Sequence, residues 1–322
     1  MKYLLIFVLI LIVFLFSSYF YFYFKLENQA KIKKPDYGLF ANLKFGKIFY
    51  QWFEPKSPNG EIIVLVHGFS TPSIVWKGIV PFFLNQGFKV LAYDHYGRGY
   101  SSRPNVKYTK EFYISTLSDL LDILKIEQKI HLIGYSMGGP IVGHFANENE
   151  YRVSSVNFIA PAGYMNENQP SRNIFLRILT LPIISNYVAI VFPSLMYGGN
   201  SSIEIKSNSD PNQISQQELE NVYKEQMRYE GFTRSLLSTA KNFNLFNTKK
   251  MYQELGTKDL NFSVIWGSSD EIVPIEGLDS LKKDIPIIFD EIIENGFHDI
   301  TYAMPTKVGS FLANKIKQFS KK

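Results

Sequence analysis

Between residues 62 and 160, short apolar runs alternate with stretches whose apolar residues recur every three or four positions, and this rhythm constrains the fold most. Residues 62–66 read Ile-Ile-Val-Leu-Val, and 88–93, 130–135 and 153–160 are similar runs of strand length. Between them, Val75, Ile79, Phe82 and Phe83 keep helical spacing, as do Leu117, Leu120, Leu121 and Leu124, and a further helix is expected over 137–147. Strands that alternate with helices pair in parallel through right-handed crossovers, and a sheet buried on both faces needs continuously apolar strands. Alternating apolar and polar residues over 40–53 (Phe45, Ile48, Tyr50, Trp52) predict an opening antiparallel hairpin. The rhythm returns late in the chain: a strand at 261–266, a helix near 275–282, a strand at 287–293 and a helix over 300–319. At 322 residues the chain suffices for one sizeable α/β domain with an insertion.

The rhythm breaks between about 163 and 250. An apolar run at 174–196 is followed by a Ser- and Asn-rich loop and an amphipathic helix at 216–228. Arg177, Pro182, Asn186 and Pro193 interrupt the apolar run, which favours a helical cap with a greasy inner face over a second membrane span. The expected organisation is a transmembrane anchor (1–24), a polar, lysine-rich linker (25–36), a core in two parts (37–162 and 251–322) and a cap (163–250).

Residues 3–24 carry no charge, and only Ser17 and Ser18 interrupt their Leu, Ile, Val, Phe and Tyr. About 20 apolar residues cross a bilayer as a helix. Tyr and Phe alternate from 19 to 24 and Lys25 follows, as suits the headgroup level. The alternative is a cleaved signal peptide with 4–16 as its apolar region. Bulky aromatics fill the place where small residues mark cleavage, and Ala30 is the one weak exception. A single-pass anchor is therefore expected, with the lysine count leaning towards a cytoplasmic location for the domain that follows. The net charge of +5 belongs mostly to this flank, since Lys2, Lys25, Lys31, Lys33 and Lys34 outweigh Glu27. The remainder is near neutral without a basic stripe, which argues against nucleic acid as a partner. With no cysteine in the sequence, disulfides, thiolate catalysis and Cys-based metal sites are excluded.

Gly134-Tyr135-Ser136-Met137-Gly138 is a G-x-S-x-G between a predicted strand and a predicted helix. Such a turn is tight, so Gly134 and Gly138 flank the serine where side chains would clash, and its hydroxyl is lifted clear of the sheet. A serine needs a base to take its proton. His67, His95, His131 and His144 read as loop, surface or packing residues, whereas His298 lies on a loop between the last strand and the last helix. That loop returns to the strand ends where ligands gather. Asp270 closes a strand and a small-residue loop and is the expected acid partner, with neighbouring Glu271 the alternative. The order Ser136, Asp270, His298 suits this architecture. Backbone amides of Met137 and Phe69 are the expected oxyanion donors, with Gly68 allowing close approach.

From about residue 45 onwards these features resemble the α/β-hydrolase superfamily. His67-Gly68-Phe69 is similar to its oxyanion loop, the stretch from Asp94 to Ser101 to its D-x-x-G-x-G-x-S turn, and Trp266-Gly267 through Asp270 to its acid loop. The resemblance implies a mostly parallel sheet flanked by helices, a Ser136–His298–Asp270 triad and acyl transfer, with no metal or organic cofactor. Serine at the elbow sets the chain apart from the dehalogenase and epoxide hydrolase branches, which carry aspartate there. Esterases, monoacylglycerol lipase-like enzymes, carbon–carbon bond hydrolases and haloperoxidase-like proteins all keep the serine. A tethered site beneath an apolar cap favours lipid-like esters such as monoacylglycerols. The alternatives are a carbon–carbon hydrolase and a non-catalytic ligand-binding protein of the same fold. The tail and surface offer no partner motif.

Overall fold

A computed structural model describes residues 1–165, 182–192, 205–206 and 210–321. Of the apolar run at 174–196, only 182–192 falls within them, so Arg177 and Pro193 lie outside the described residues. The expected hairpin forms from β1 (Leu39–Leu43) and β2 (Gly46–Phe53). The alternating part follows as β3 (Ile62–Val66), α2 (Val80–Leu84), β4 (Lys89–Tyr93), α3 (Lys110–Ile123), β5 (Ile130–Tyr135), α4 (Gly138–Glu148) and β6 (Val153–Ile159). Helix α1 (Lys2–Tyr23) precedes the hairpin. After β6 come α5 (Pro182–Val191), α6 (Gln216–Met227), α7 (Phe232–Asn242) and α8 (Lys249–Leu255). The chain closes with β7 (Asn261–Gly267), α9 (Gly277–Asp284), β8 (Phe289–Ile293), α10 (Ile300–Ala303) and α11 (Pro305–Phe319).

The strands form one sheet in the order β1-β2-β4-β3-β5-β6-β7-β8, antiparallel at β1–β2–β4 and parallel from β4 to β8. Every residue of β3 and β5 is buried, because helices cover both faces. Val64, Leu132, Val156 and Val264 pack beneath α3, α4, α8 and α9, while Ile63, Leu65, Ile133 and Ile265 pack beneath α2 and α11. On α11, Val308, Leu312 and Ile316 repeat every four residues, and burying each contributes about 1.5–3 kcal/mol.

Two predicted helices are broken. The one that carries Val75, Ile79, Phe82 and Phe83 becomes a short 3-10 turn, Ser73–Trp76, followed by α2. Gly78 between them packs so closely that a Cβ would lie 2.3 Å from the Asn212 carbonyl. The one over 300–319 divides at Pro305, which has no N–H to continue α10.

Helix α1 has 22 residues and buries none of them. The linker that follows is stitched to the domain. The Glu27 amide donates to the Arg228 carbonyl (2.8 Å) and the Glu230 amide to the Glu27 carbonyl (2.9 Å). The Glu27 carboxylate meets the Arg228 guanidinium at 2.5 Å, and the Arg103 amide donates to Gln29 Oε1 at 2.8 Å.

Candidate active site

Ser136 sits between β5 and α4 with φ of 53°, in the left-handed region that a non-glycine residue adopts only under constraint. Both flanking glycines are required by space. A Cβ on Gly134 would lie 2.4 Å from the Gly138 carbonyl, and one on Gly138 would lie 2.0 Å from the Val66 carbonyl. The Ser136 amide donates to Ile159 in the neighbouring strand (2.9 Å), so the strained turn is pinned to the sheet.

His298 and Asp270 arrive on loops after β8 and β7. These loops are laced together by Ser269 N–H to the Gly296 carbonyl (2.8 Å) and Asn295 N–H to Ser268 Oγ (2.9 Å). His298 Nδ1 lies 2.7 Å from Asp270 Oδ2, and His298 Nε2 lies 3.0 Å from Ser136 Oγ. An ionised carboxylate only accepts, so Nδ1 carries the imidazole proton and Nε2 is left to accept from the serine hydroxyl. Asp270 Oδ1 accepts from the Ile272 (2.9 Å) and Val273 (2.8 Å) amides, which offsets burial of its charge. Glu271, the alternative acid, points outward and pairs with Lys206 at 3.1 Å.

The loop after β3 approaches the serine, since a Cβ on Gly68 would come within 3.3 Å of Ser136 Cβ. Among the described residues neither the Phe69 nor the Met137 amide has a hydrogen-bond acceptor.

The other histidines are engaged elsewhere. His67 Nε2 accepts from the His95 amide (2.9 Å), and His95 Nε2 donates to the His67 carbonyl (3.0 Å). Burial holds both rings neutral, pushing His95 down to about 3 and His67 well below its ordinary value. His131 meets Ser155 Oγ at 2.8 Å, and burial lowers His144 to about 4.

Several supporting residues were not anticipated. Tyr135 Oη donates to the His298 carbonyl (2.8 Å) and its ring lies beside the imidazole. Arg98, fully buried, donates from Nε to the Phe69 carbonyl (2.8 Å) and from a terminal nitrogen to Thr239 Oγ1 (3.0 Å). Gln226 of α6 accepts from the Gly99 amide at 2.6 Å and reaches the Ser70 carbonyl at 3.4 Å. Their partners are distant in sequence, so no local pattern announces them. The one available signal was Arg98 itself, a charge inside a glycine-rich turn.

Comparison with known proteins agrees with the architecture. Residues 61–302 match the model of the alpha/beta hydrolase fold family. The chain is 24% identical over 282 residues to monoacylglycerol lipase abhd6-B of Xenopus laevis, covering 86% of this chain and 80% of the relative. An esterase from Exiguobacterium antarcticum superposes with a TM-score of 0.70 at 18% identity, over 87% of this chain and 99% of the esterase. A bromoperoxidase from Bacillus anthracis gives 0.69 at 21% identity, over 87% and 99%. With a family model matched across most of its length and the sheet order described above, the chain belongs to the α/β-hydrolase fold family.

Proposed function

We propose that this protein is a membrane-anchored serine hydrolase that cleaves carboxylic esters, with lipid-like acyl esters such as monoacylglycerols as its substrate class. The observation that carries the reading is the hydrogen-bonded relay from Ser136 through His298 to Asp270. In the first step His298 Nε2 takes the hydroxyl proton as Ser136 Oγ bonds to the ester carbonyl carbon. The carbonyl oxygen becomes an oxyanion held by the Phe69 and Met137 amides, and Asp270 stabilises the imidazolium. Collapse breaks the bond to the alcohol oxygen, which leaves with the proton from His298. An acyl-enzyme remains. Water then gives a proton to His298, attacks the acyl carbon and releases the acid as Ser136 recovers its proton.

The substrate class is argued from α1, an unburied apolar helix of membrane-spanning length, and from the apolar character of the insert, read as a cap over residues 163–250. The relatives described as monoacylglycerol lipases agree with it. Graded p-nitrophenyl and monoacylglycerol esters presented in vesicles test the assignment. Turnover that rises with acyl length is expected. Equal turnover of very short and long chains would remove the lipid assignment while leaving the hydrolase.

A further inference from the structure

Ser18 lies within α1, yet its Oγ is 2.8 Å from Oη of Tyr187 in α5, and Tyr19 stacks on the same ring at 6.5 Å. From this contact we infer that α5 is itself seated in the bilayer, with Ile184 and neighbouring Phe192 facing the acyl chains of the leaflet that α1 leaves towards the domain. The inference rests on the anchor reading of α1. It adds a second membrane-contacting element, contributed by the insert.

Depth makes the argument. At 1.5 Å per residue, Ser18 lies roughly 7–8 Å below the Tyr23 end of the helix. If α1 spans the hydrocarbon, Tyr187 lies at that depth too and cannot be in bulk water. Chemistry agrees with the position. Residues 182–192 contain no charged side chain, and Ile184 and Phe192 are 41% and 50% exposed. Within lipid each hydroxyl needs a partner, which Ser18 and Tyr187 supply to one another, while Ser18 also donates to the Leu15 carbonyl at 3.0 Å. Asn186 is exposed but has a partner within the protein.

The seat is fixed from both sides. Below it, α5 packs along α1; above it, α5 packs on α7, whose Ser235 and Thr239 bind the Gly97 carbonyl and the Arg98 guanidinium. Just outside the span, the Glu27–Arg228 and Gln29–Arg103 contacts hold the domain against the linker. An apolar helix held in this way lies in the interface as a monotopic amphipathic helix does, some 5–10 Å deep.

The absence of native cysteine makes the test clean. Full-length Ile184→Cys and Phe192→Cys variants carry an environment-sensitive NBD label and are reconstituted in phosphatidylcholine vesicles containing lipids spin-labelled near the headgroup or deep in the acyl chain. Phe14→Cys reports on the span itself. Tyr151→Cys, 72% exposed and at the opposite end of the strands from Ser136, reports on water. The expected result is severalfold stronger quenching at 184 and 192 than at 151, greatest with the shallow spin label. Labels at 184 and 192 as water-exposed as at 151, with Phe14→Cys still quenched, would overturn the inference and leave the anchor standing. Shielding from water without lipid quenching would also overturn it, by placing protein, such as a second copy of the chain, on this face. Loss of quenching at 14 would instead remove the anchor reading on which the inference depends.

Discussion

Asp270 takes two backbone amides on one oxygen and the His298 ring on the other, so the orientation of the ring is set before a substrate arrives. Asp270→Asn should fold but offer an amide donor where the ring needs an acceptor. That favours the wrong tautomer, and steady-state kinetics should show kcat lower by about 10³–10⁴-fold with little change in KM. Arg98 has no carboxylate partner among the described residues, and its Nε holds the carbonyl of Phe69, the residue whose amide we assign to the oxyanion. Arg98→Lys keeps the charge but loses the fork, and kcat should fall by roughly 10–100-fold while fluorophosphonate still reaches Ser136. His67 and His95 bear on stability instead. Their folded pKa values are depressed, so the unfolded chain binds protons that the folded chain refuses once pH falls below about 6.5. Stability is therefore complete above that pH and declines towards about 3, the folded value for His95. His95 alone should cost about 1.5 kcal/mol between pH 6.5 and 5, with His67 acting in the same direction, read from urea unfolding at the two pH values.

The strand–turn–helix around Ser136 is the least tolerant element. Gly138→Ala would press a methyl group against the Val66 carbonyl and should cost about 3 kcal/mol or more in urea unfolding, with activity lost in parallel. This element was also the most legible in sequence, because its constraints are local: a buried strand, a pentapeptide and a helix in direct succession. Strands 62–66 and 130–135 fall where apolar runs place them, since burial on both faces leaves little other reading. Helices α7 and α8 were not individually anticipated. On α7, Ser235 and Thr239 point inward to bind Gly97 and Arg98, so polar residues occupy the buried stripe and hide its period. α8 runs across the expected core boundary at 250 and packs on α4 through Met251 and Leu255. Gly78 breaks a helix for a reason written far away, at Asn212 and Pro305. Ser136, Asp270 and His298, which the structure brings into hydrogen-bonding distance, are singled out by motif context, whereas the partners of Tyr135, Arg98 and Gln226 exist only once the chain has folded.

At the scale of the whole molecule, Lys2 and Lys25 at the two ends of the uncharged stretch 3–24, and the contacts at Glu27 and Gln29, describe an α/β-hydrolase-fold domain held close to the end of an apolar helix. On the proposed anchoring, tethering would raise the local concentration of membrane-borne ester without altering the chemistry. Removal of residues 1–24, which spares Glu27 and Gln29, should leave turnover of a dispersed short-chain ester within about twofold while lowering hydrolysis of vesicle-borne monoacylglycerol by about tenfold or more. Equal losses on both substrates would show that α1 supports the fold of the site and not the delivery of substrate. The most direct test of the account is whether Ser136 is the nucleophile. Purified full-length protein treated with a fluorophosphonate should carry one adduct, mapped by peptide mass to Ser136, and Ser136→Ala should carry none and lose turnover by several orders of magnitude. Folded wild-type protein that takes up no label, or an adduct that persists in Ser136→Ala, would contradict it.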